Sequence, residues 1–379
     1  ATTDIYTLSL HDALPIYGGE IGTALEAFGA PRRLTTIGRG VRLKQEDVRR
    51  EITGPPKSVA FDSVGAPTRA AQSFAEKQGI RVSDLKIINT PKGEYLAAVQ
   101  LTRGQPAEKI LAEILPQAIH DISWPRSMYW TGAQGPRFIR PIRWIVALLD
   151  GKVVPFTFAE VSAGNHTDGH RFLGKQKIPV SGPRDYEEKL KKNFVLCRPE
   201  ARRKKIEAEI RSLAGRQKLQ SHADEELLSL VTNLNEYPTA ILGDFDPAFL
   251  ALPEEILITV MRDHQKYFAL EDRAGEIAPH FLAVINLARD PKGLVRAGHE
   301  RVLRARFADA QFFWETDQKH KLGENLARLR AVTYESRLGS YADKVERMRA
   351  IARWLAEQLF SAGASQADVA GSDRAAELA

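Results

Sequence analysis

One cysteine, Cys197, occurs in 379 residues. That excludes an intrachain disulfide framework and any site built on several thiolates. With no secretory signal recognisable, it points to a reducing compartment, the cytoplasm. The thiol sits in Asn193-Phe194-Val195-Leu196-Cys197, an apolar stretch that predicts a buried, inert side chain. Long hydrophobic runs are also missing. The longest, Trp144 to Leu149, has strand or core-helix length, well short of the roughly 18 residues of a membrane span. Low-complexity tracts are absent as well, and 43% apolar against 27% charged residues is a globular balance.

The familiar catalytic signatures are lacking too. No G-x-x-x-x-G-K-[ST] phosphate loop occurs, and Gly38-Arg39-Gly40 lacks the third glycine of a dinucleotide fingerprint. Neither a G-x-S-x-G elbow nor H-E-x-x-H appears. His166, Asp168 and His170 offer metal-ligand types, but Gly169 breaks the helix that usually presents ligands four apart, and no further ligand is fixed. His120-Asp121 has the look of half a phosphohydrolase dyad whose other half cannot be placed, at an apolar helix end where capping or core roles are commoner. The expectation is a chain without catalytic or metal-ligating residues of its own.

Positive charge is what the chain does have. The formal net charge is +6 and the pI about 9.2, a balance that favours polyanionic partners. Basic residues gather at Arg32-Arg33, Arg137 to Arg143, Arg202 to Lys205 and Arg296 to Arg306. Each cluster taken singly also reads as a solvated face, whereas four clusters, two interleaved with aromatics, point to nucleic acid.

Periodicity and turn residues predict an α+β chain of about two or three domains. Residues 1–19 fit no periodic element and read as foreign sequence, such as a translated adapter, or else as a leader with a short strand. An α+β region is expected over 20–125, with a strand at 35–43, a helix at 68–78 ended by Gly79, a strand at 95–102 and a helix at 108–120. A second mixed-sheet region spans 126–290. There, 138–149 and 153–158 flank Asp150-Gly151 as a hairpin, with helices at 185–192, 199–215 and 227–233, strands at 239–242 and 280–286, and a helix opening at Pro253. Residues 291–379 read as helical. Leu303, Phe307, Ala310 and Trp314 fall on one face, and the pattern continues over 322–360 with a break at Gly339.

Four motifs supply candidate contacts. Trp130 offers a stacking ring ahead of Arg137-Phe138-Ile139-Arg140-Pro141-Ile142-Arg143. In an extended chain these arginines form either a phosphate clamp along a sheet edge or an internal ion-pair network with Trp144 in the core. His170 and Arg171 follow a glycine turn in Asp168-Gly169-His170-Arg171-Phe172, fit for binding or for hydrogen bonding within the loop. His264 and Lys266 lie in Met261 to Phe268 at a helix end, able to hold a phosphate or a neighbouring subunit, or to satisfy the last carbonyls. Arg301 and Arg304, three apart, share a helix face opposite the Leu303/Phe307/Trp314 stripe.

The order of Ala30-Pro31-Arg32-Arg33-Leu34, Arg137 to Pro141, Gly169-His170-Arg171-Phe172, His264 to Phe268 and Arg304 to Asp317 resembles the bacterial glycyl-tRNA synthetase β subunit over about residues 24–375. The resemblance implies a two-subunit ligase, α2β2, whose α subunit binds ATP, magnesium and glycine while β handles glycine tRNA. It also implies that Arg137 to Phe172 belongs to a module similar to the B3/B4 region of the phenylalanyl enzyme, and that 291–379 begins an HD-like domain. The family's N-terminal Glu-Leu-Pro motif and its anticodon-binding domain have no counterpart in the sequence. Rival expectations are a stand-alone hydrolase, of HD type or editing mischarged tRNA, and a scaffold whose arginines bind protein only.

Overall fold

A computed structural model describes residues 25–379 apart from 46, 134 and 362–365. The foreign-sequence reading of 1–19 lies outside the described residues. β1 (Leu25–Ala30) and β2 (Arg33–Gly38) pair antiparallel, with Ala30 opposite Arg33 across Pro31-Arg32. Proline presets φ for such a turn. Phe28 and Ile37 turn inward onto Leu190, Val195 and Cys197. Burial raises the Cys197 thiol above its ordinary value, as an inert core cysteine requires.

β3 (Val48–Pro56), β4 (Lys86–Thr90) and β5 (Gly93–Thr102) form an antiparallel sheet with β5 central. α1 (Arg69–Lys77) packs on it through Ala71 and Phe74, against Ala60 and Leu96. The Phe74 ring occupies the space above Gly54, where a Cβ would fall 2.4 Å from the ring. α2 (Ala107–His120) follows and carries Pro116 within it.

Next come short strands: β6 (Ile145–Val146), β7 (Leu148–Leu149), β8 (Lys152–Val153), β9 (Thr157–Phe158), β10 (Val161–Gly164), β11 (His166–Thr167) and β12 (Ile178–Pro179). β6 lies parallel to β10, which pairs antiparallel with β9; β11 pairs with β12. β7 and β8 form the hairpin expected at Asp150-Gly151, whose φ values of 49° and 80° suit a primed turn. The long strand expected over 138–149 is not there. Residues 139–144 are irregular and only Phe138 bridges back, to Met128. Pro136 and Pro141 explain the difference, since each removes a backbone donor and fixes φ.

α3 (Pro183–Lys192), α4 (Pro199–Arg216) and α5 (Glu225–Leu234) lead into a sheet of β13 (Gln220–Ser221), β14 (Thr239–Asp244), β15 (Phe268–Glu271) and β16 (Ile277–Ile285), in the order β13-β15-β16-β14. α6 (Glu254–Thr259) and α7 (Leu294–Asp317) cover a core of Leu257, Met261, Phe281, Leu303 and Phe307. Pro253 sits immediately before α6, one place earlier than expected. The α7 stripe is shorter than its spacing predicts: Leu303 and Phe307 are sealed, whereas Trp314 is 38% exposed.

β17 (Thr333–Glu335) and β18 (Gly339–Ser340) form the break around Gly339. α8 (Tyr341–Ser361) and α9 (Gln366–Leu378) complete the helical segment, joined by Arg349 to Asp373 and Glu377. The architecture is the expected α+β assembly of small mixed sheets followed by helices. It resolves into two compact units. One takes the described residues up to Ala208 with Leu228–Thr239 and Val284–Arg289; the other takes Glu209–Leu227, Ala240–Ala283 and Asp290–Ala379. No helix among the described residues is long and apolar enough to cross a membrane.

Candidate nucleic-acid interface

The arginines divide by where their guanidinium groups go. Those at 32, 33 and 202 are used inside the first unit. Glu236, whose side chain is 2% exposed, accepts from Arg33 and from Arg32 (2.9 and 3.0 Å). Backbone takes further donors: Arg32 Nη2 also donates to the Gly169 carbonyl at 2.6 Å and Arg33 Nη2 to that of Asp168 at 3.0 Å, while the buried Arg33 Nε has no partner among the described residues. Arg33 also lies 5.7 Å from the Trp144 ring centroid. Arg202, wholly buried, donates to four carbonyls, those of Gly29, Leu196, Cys197 and Thr232, at 2.7–2.9 Å. Burial lowers its pKa, yet an arginine stays charged under any ordinary condition. Arg203 pairs with Glu207, and Lys205 stacks on Tyr237. Two of the four basic clusters are therefore largely structural, a correction to their reading as nucleic-acid surface.

The block after Trp130 behaves differently. Arg137, Arg140 and Arg143 are exposed, and none meets a carboxylate among the described residues. Arg137 lies over Tyr129, 5.4 Å from the ring centroid. Phe138 packs edge-on against Trp124, and Trp130 is half-buried. Among the described residues, the internal ion-pair alternative for these arginines finds no carboxylate beside them. They project from an irregular segment instead of alternating along a strand. Arg33 touches both Trp144, at the end of this block, and Asp168, at the start of the next motif.

That motif is a tightly held loop. Gly169 donates to the Lys175 carbonyl, His170 to that of Asn193, and Gly174 to that of His170. Asp168 Oδ1 receives the Lys177 amide at 2.8 Å. His170 is 1% exposed, and its Nδ1 accepts the amides of Phe172 and Leu173, both at 3.3 Å. The ring proton therefore sits on Nε2, the tautomer those two bonds dictate. His170 props the loop from within and offers no surface to a partner, whereas Arg171 is exposed, 5.7 Å from the Phe172 ring centroid. His166 is exposed, and no group of three potential metal ligands assembles among the described residues.

In the second unit a π-helical turn, Val260–Gln265, ends at Lys266, which adopts the left-handed conformation (φ 62°). Its ammonium donates to the Asp263 carbonyl at 2.8 Å, the helix-end role. His264 is exposed, while Arg262 is bound to Asp224 and Glu226. Tyr267 stacks on Phe281 and meets His299 Nδ1 through its hydroxyl. Burial pushes Tyr267 up to about 12 and lowers His299, which favours the neutral form of both, and the tautomer of the ring sets which of the two donates. On α7, Arg301 and Arg304 are exposed, and neither meets a carboxylate among the described residues. The exposed His120-Asp121 pair is an adjacent surface contact of 3.2 Å.

Sequence reasoning overlooked Tyr129, Phe172 and Glu236. The two aromatics stand beside candidate arginines, a signal that was available; Glu236 is distinguished only by contacts about 200 residues away.

Residues 16–379 match the family model described as glycyl-tRNA synthetase beta subunit. The chain belongs to that family. The glycine–tRNA ligase beta subunit of Acidobacterium capsulatum is 45% identical over 365 residues, covering 94% of this chain and 51% of that protein. The same subunit of Citrifermentans bemidjiense is 44% identical over 349 residues, covering 92% and 50%. That of Geobacter metallireducens is 45% identical over 336, covering 88% and 49%. The chain thus spans about half the length of these family members.

Proposed function

We propose that this chain holds glycine tRNA and docks on an α subunit within a cytoplasmic α2β2 glycine–tRNA ligase. ATP, magnesium and glycine are handled by that other polypeptide. The observation that carries the reading is the contrast among the arginines of the first unit. Arg32, Arg33 and Arg202 are bound internally to Glu236 or to backbone carbonyls, while Arg137, Arg140, Arg143 and Arg171 are exposed with no carboxylate beside them among the described residues. Guanidinium groups so placed suit phosphate, which they grip bidentately. The relatives are named beta subunits of a glycine–tRNA ligase, which supports both the tRNA and the partner subunit. In this reading the chain contributes position: it keeps the tRNA acceptor end beside the site where the ester bond forms, raising its effective concentration there. Arg301 and Arg304 supply further phosphate contacts on α7.

Filter binding with a glycine tRNA transcript tests the proposal. Arg137→Ala with Arg140→Ala is expected to weaken binding about tenfold or more, at roughly a kcal/mol per lost phosphate contact, with an unchanged melting temperature. Unchanged affinity, or collapse of the fold, contradicts it. Capture of the α subunit after nuclease treatment separates a direct protein contact from one bridged by RNA.

A further inference from the structure

The geometry points to Phe172 as a stacking platform for an unpaired nucleobase, with Arg171 as its cationic partner; this rests on the tRNA reading above. Phe172 is 76% exposed, and between residues 140 and 229 it is the one large apolar side chain left exposed among the described residues. An exposed ring on a loose loop would mean little. This loop is fixed from every side. Arg32 and Arg33 hold the carbonyls of Gly169 and Asp168, Asn193 binds His170 and Lys175, and the buried His170 receives the amides of Phe172 itself and of Leu173.

The two glycines permit the shape. A Cβ on Gly169 would lie 2.7 Å from that of Asn193, and one on Gly174 would lie 2.5 Å from the His170 nitrogen. Placing an aromatic ring in water on so ordered a loop removes the entropic cost of arranging it at the moment of binding.

The surroundings select the ligand. Arg171, Lys175 and Lys177 are exposed within seven residues, and the loop's one carboxylate, Asp168, is half-buried and engaged by the Lys177 amide. A protein hot spot sits within an apolar patch that excludes water; along the chain, no other large apolar side chain between residues 140 and 229 is exposed among the described residues. An exposed ring on a loop rich in cations, with a guanidinium against it, is the arrangement that holds single-stranded nucleic acid by stacking and backbone charge.

The test uses the full chain and a glycine tRNA transcript. Phe172→Ala and Phe172→Leu are each expected to weaken binding on the order of tenfold, with the salt slope and melting temperature unchanged, because no phosphate contact and no core packing is lost. Phe172→Trp is expected to bind within about twofold of wild type, since its larger π face stacks at least as well. If Phe172→Ala binds like wild type while Arg137→Ala/Arg140→Ala is weakened, the platform is wrong and the tRNA reading stands. If neither variant is weakened, both fall. If Phe172→Leu retains full affinity, the ring makes no stack and the proposal is overturned. Loss confined to nuclease-resistant capture of the α subunit makes the loop a protein contact and likewise overturns it.

Discussion

Replacing Arg202 by methionine keeps much of its bulk and removes four donors. Each now reaches a different backbone carbonyl, from the β1–β2 hairpin, the segment after α3, and α5. Hydrogen bonds from a charged donor contribute about 1.5–3 kcal/mol each, and a buried acceptor left unmatched costs about 1–3 kcal/mol. The four are not additive, because the pocket can relax once the side chain is gone. A loss of about 5 kcal/mol is expected, a large part of the roughly 5–15 kcal/mol that holds a domain together. At about 2–4 °C per kcal/mol for a unit of this size, the melting temperature of the first unit falls by on the order of 10–20 °C. Thermal unfolding followed by circular dichroism measures it, with Arg202→Lys retaining part of the lost stability through its three donors. A methionine variant that melts with wild type would refute the reasoning and return Arg202 to the surface cluster its sequence context suggests.

Other consequences are as concrete. Glu236→Gln leaves Arg33 buried without its countercharge and is expected to cost about 3–5 kcal/mol by urea unfolding; adding Arg33→Met should recover part of that loss, as coupled neighbours do. Gly174→Ala forces a Cβ against His170 and Asn193 and is expected to destabilise by about 1–3 kcal/mol; a neutral result would mean the loop tolerates a different backbone path. His299 titrates below its ordinary 6.5 when folded, burial being the cause, so the unfolded chain binds the extra proton first. Its contribution is intact above that value and is lost as pH falls below it, by at most about 1.4 kcal/mol per pH unit. Melting curves from pH 7.5 to 5 should show a smaller decline in His299→Gln than in wild type, and identical declines would exclude the effect.

What the sequence disclosed depended on range. The Asp150-Gly151 hairpin was legible because both residues tolerate positive φ, and the helices at 69–77, 107–120 and 199–216 because their apolar spacing is local. β3 escaped notice: it is an edge strand, charged at Arg49, Arg50 and Glu51 and ended by Pro55-Pro56, so no apolar alternation marks it. The block at 137–143 looked like a strand by its alternation, but its prolines prevail. The fate of individual arginines was beyond local reading. Arg33 and Arg137 each adjoin apolar residues, and only Glu236, some 200 positions from Arg33, separates a sealed cation from a free one. The glycine turn at 169 announced a loop of consequence, yet the exchange of roles between buried His170 and exposed Phe172 arises from the ring nitrogen's bonds to the backbone.

The central claim is that solvent-facing arginines on this chain grip RNA phosphates. Its most direct measurement is the dissociation constant for a glycine tRNA transcript across salt concentration. The four contacts of the first unit, from Arg137, Arg140, Arg143 and Arg171, by themselves predict a weakening on the order of 100-fold between about 50 and 200 mM salt, and Arg301 and Arg304 steepen it further, with a shallower slope when Arg137 and Arg140 are alanine. Affinity that stays level across that range would contradict the account.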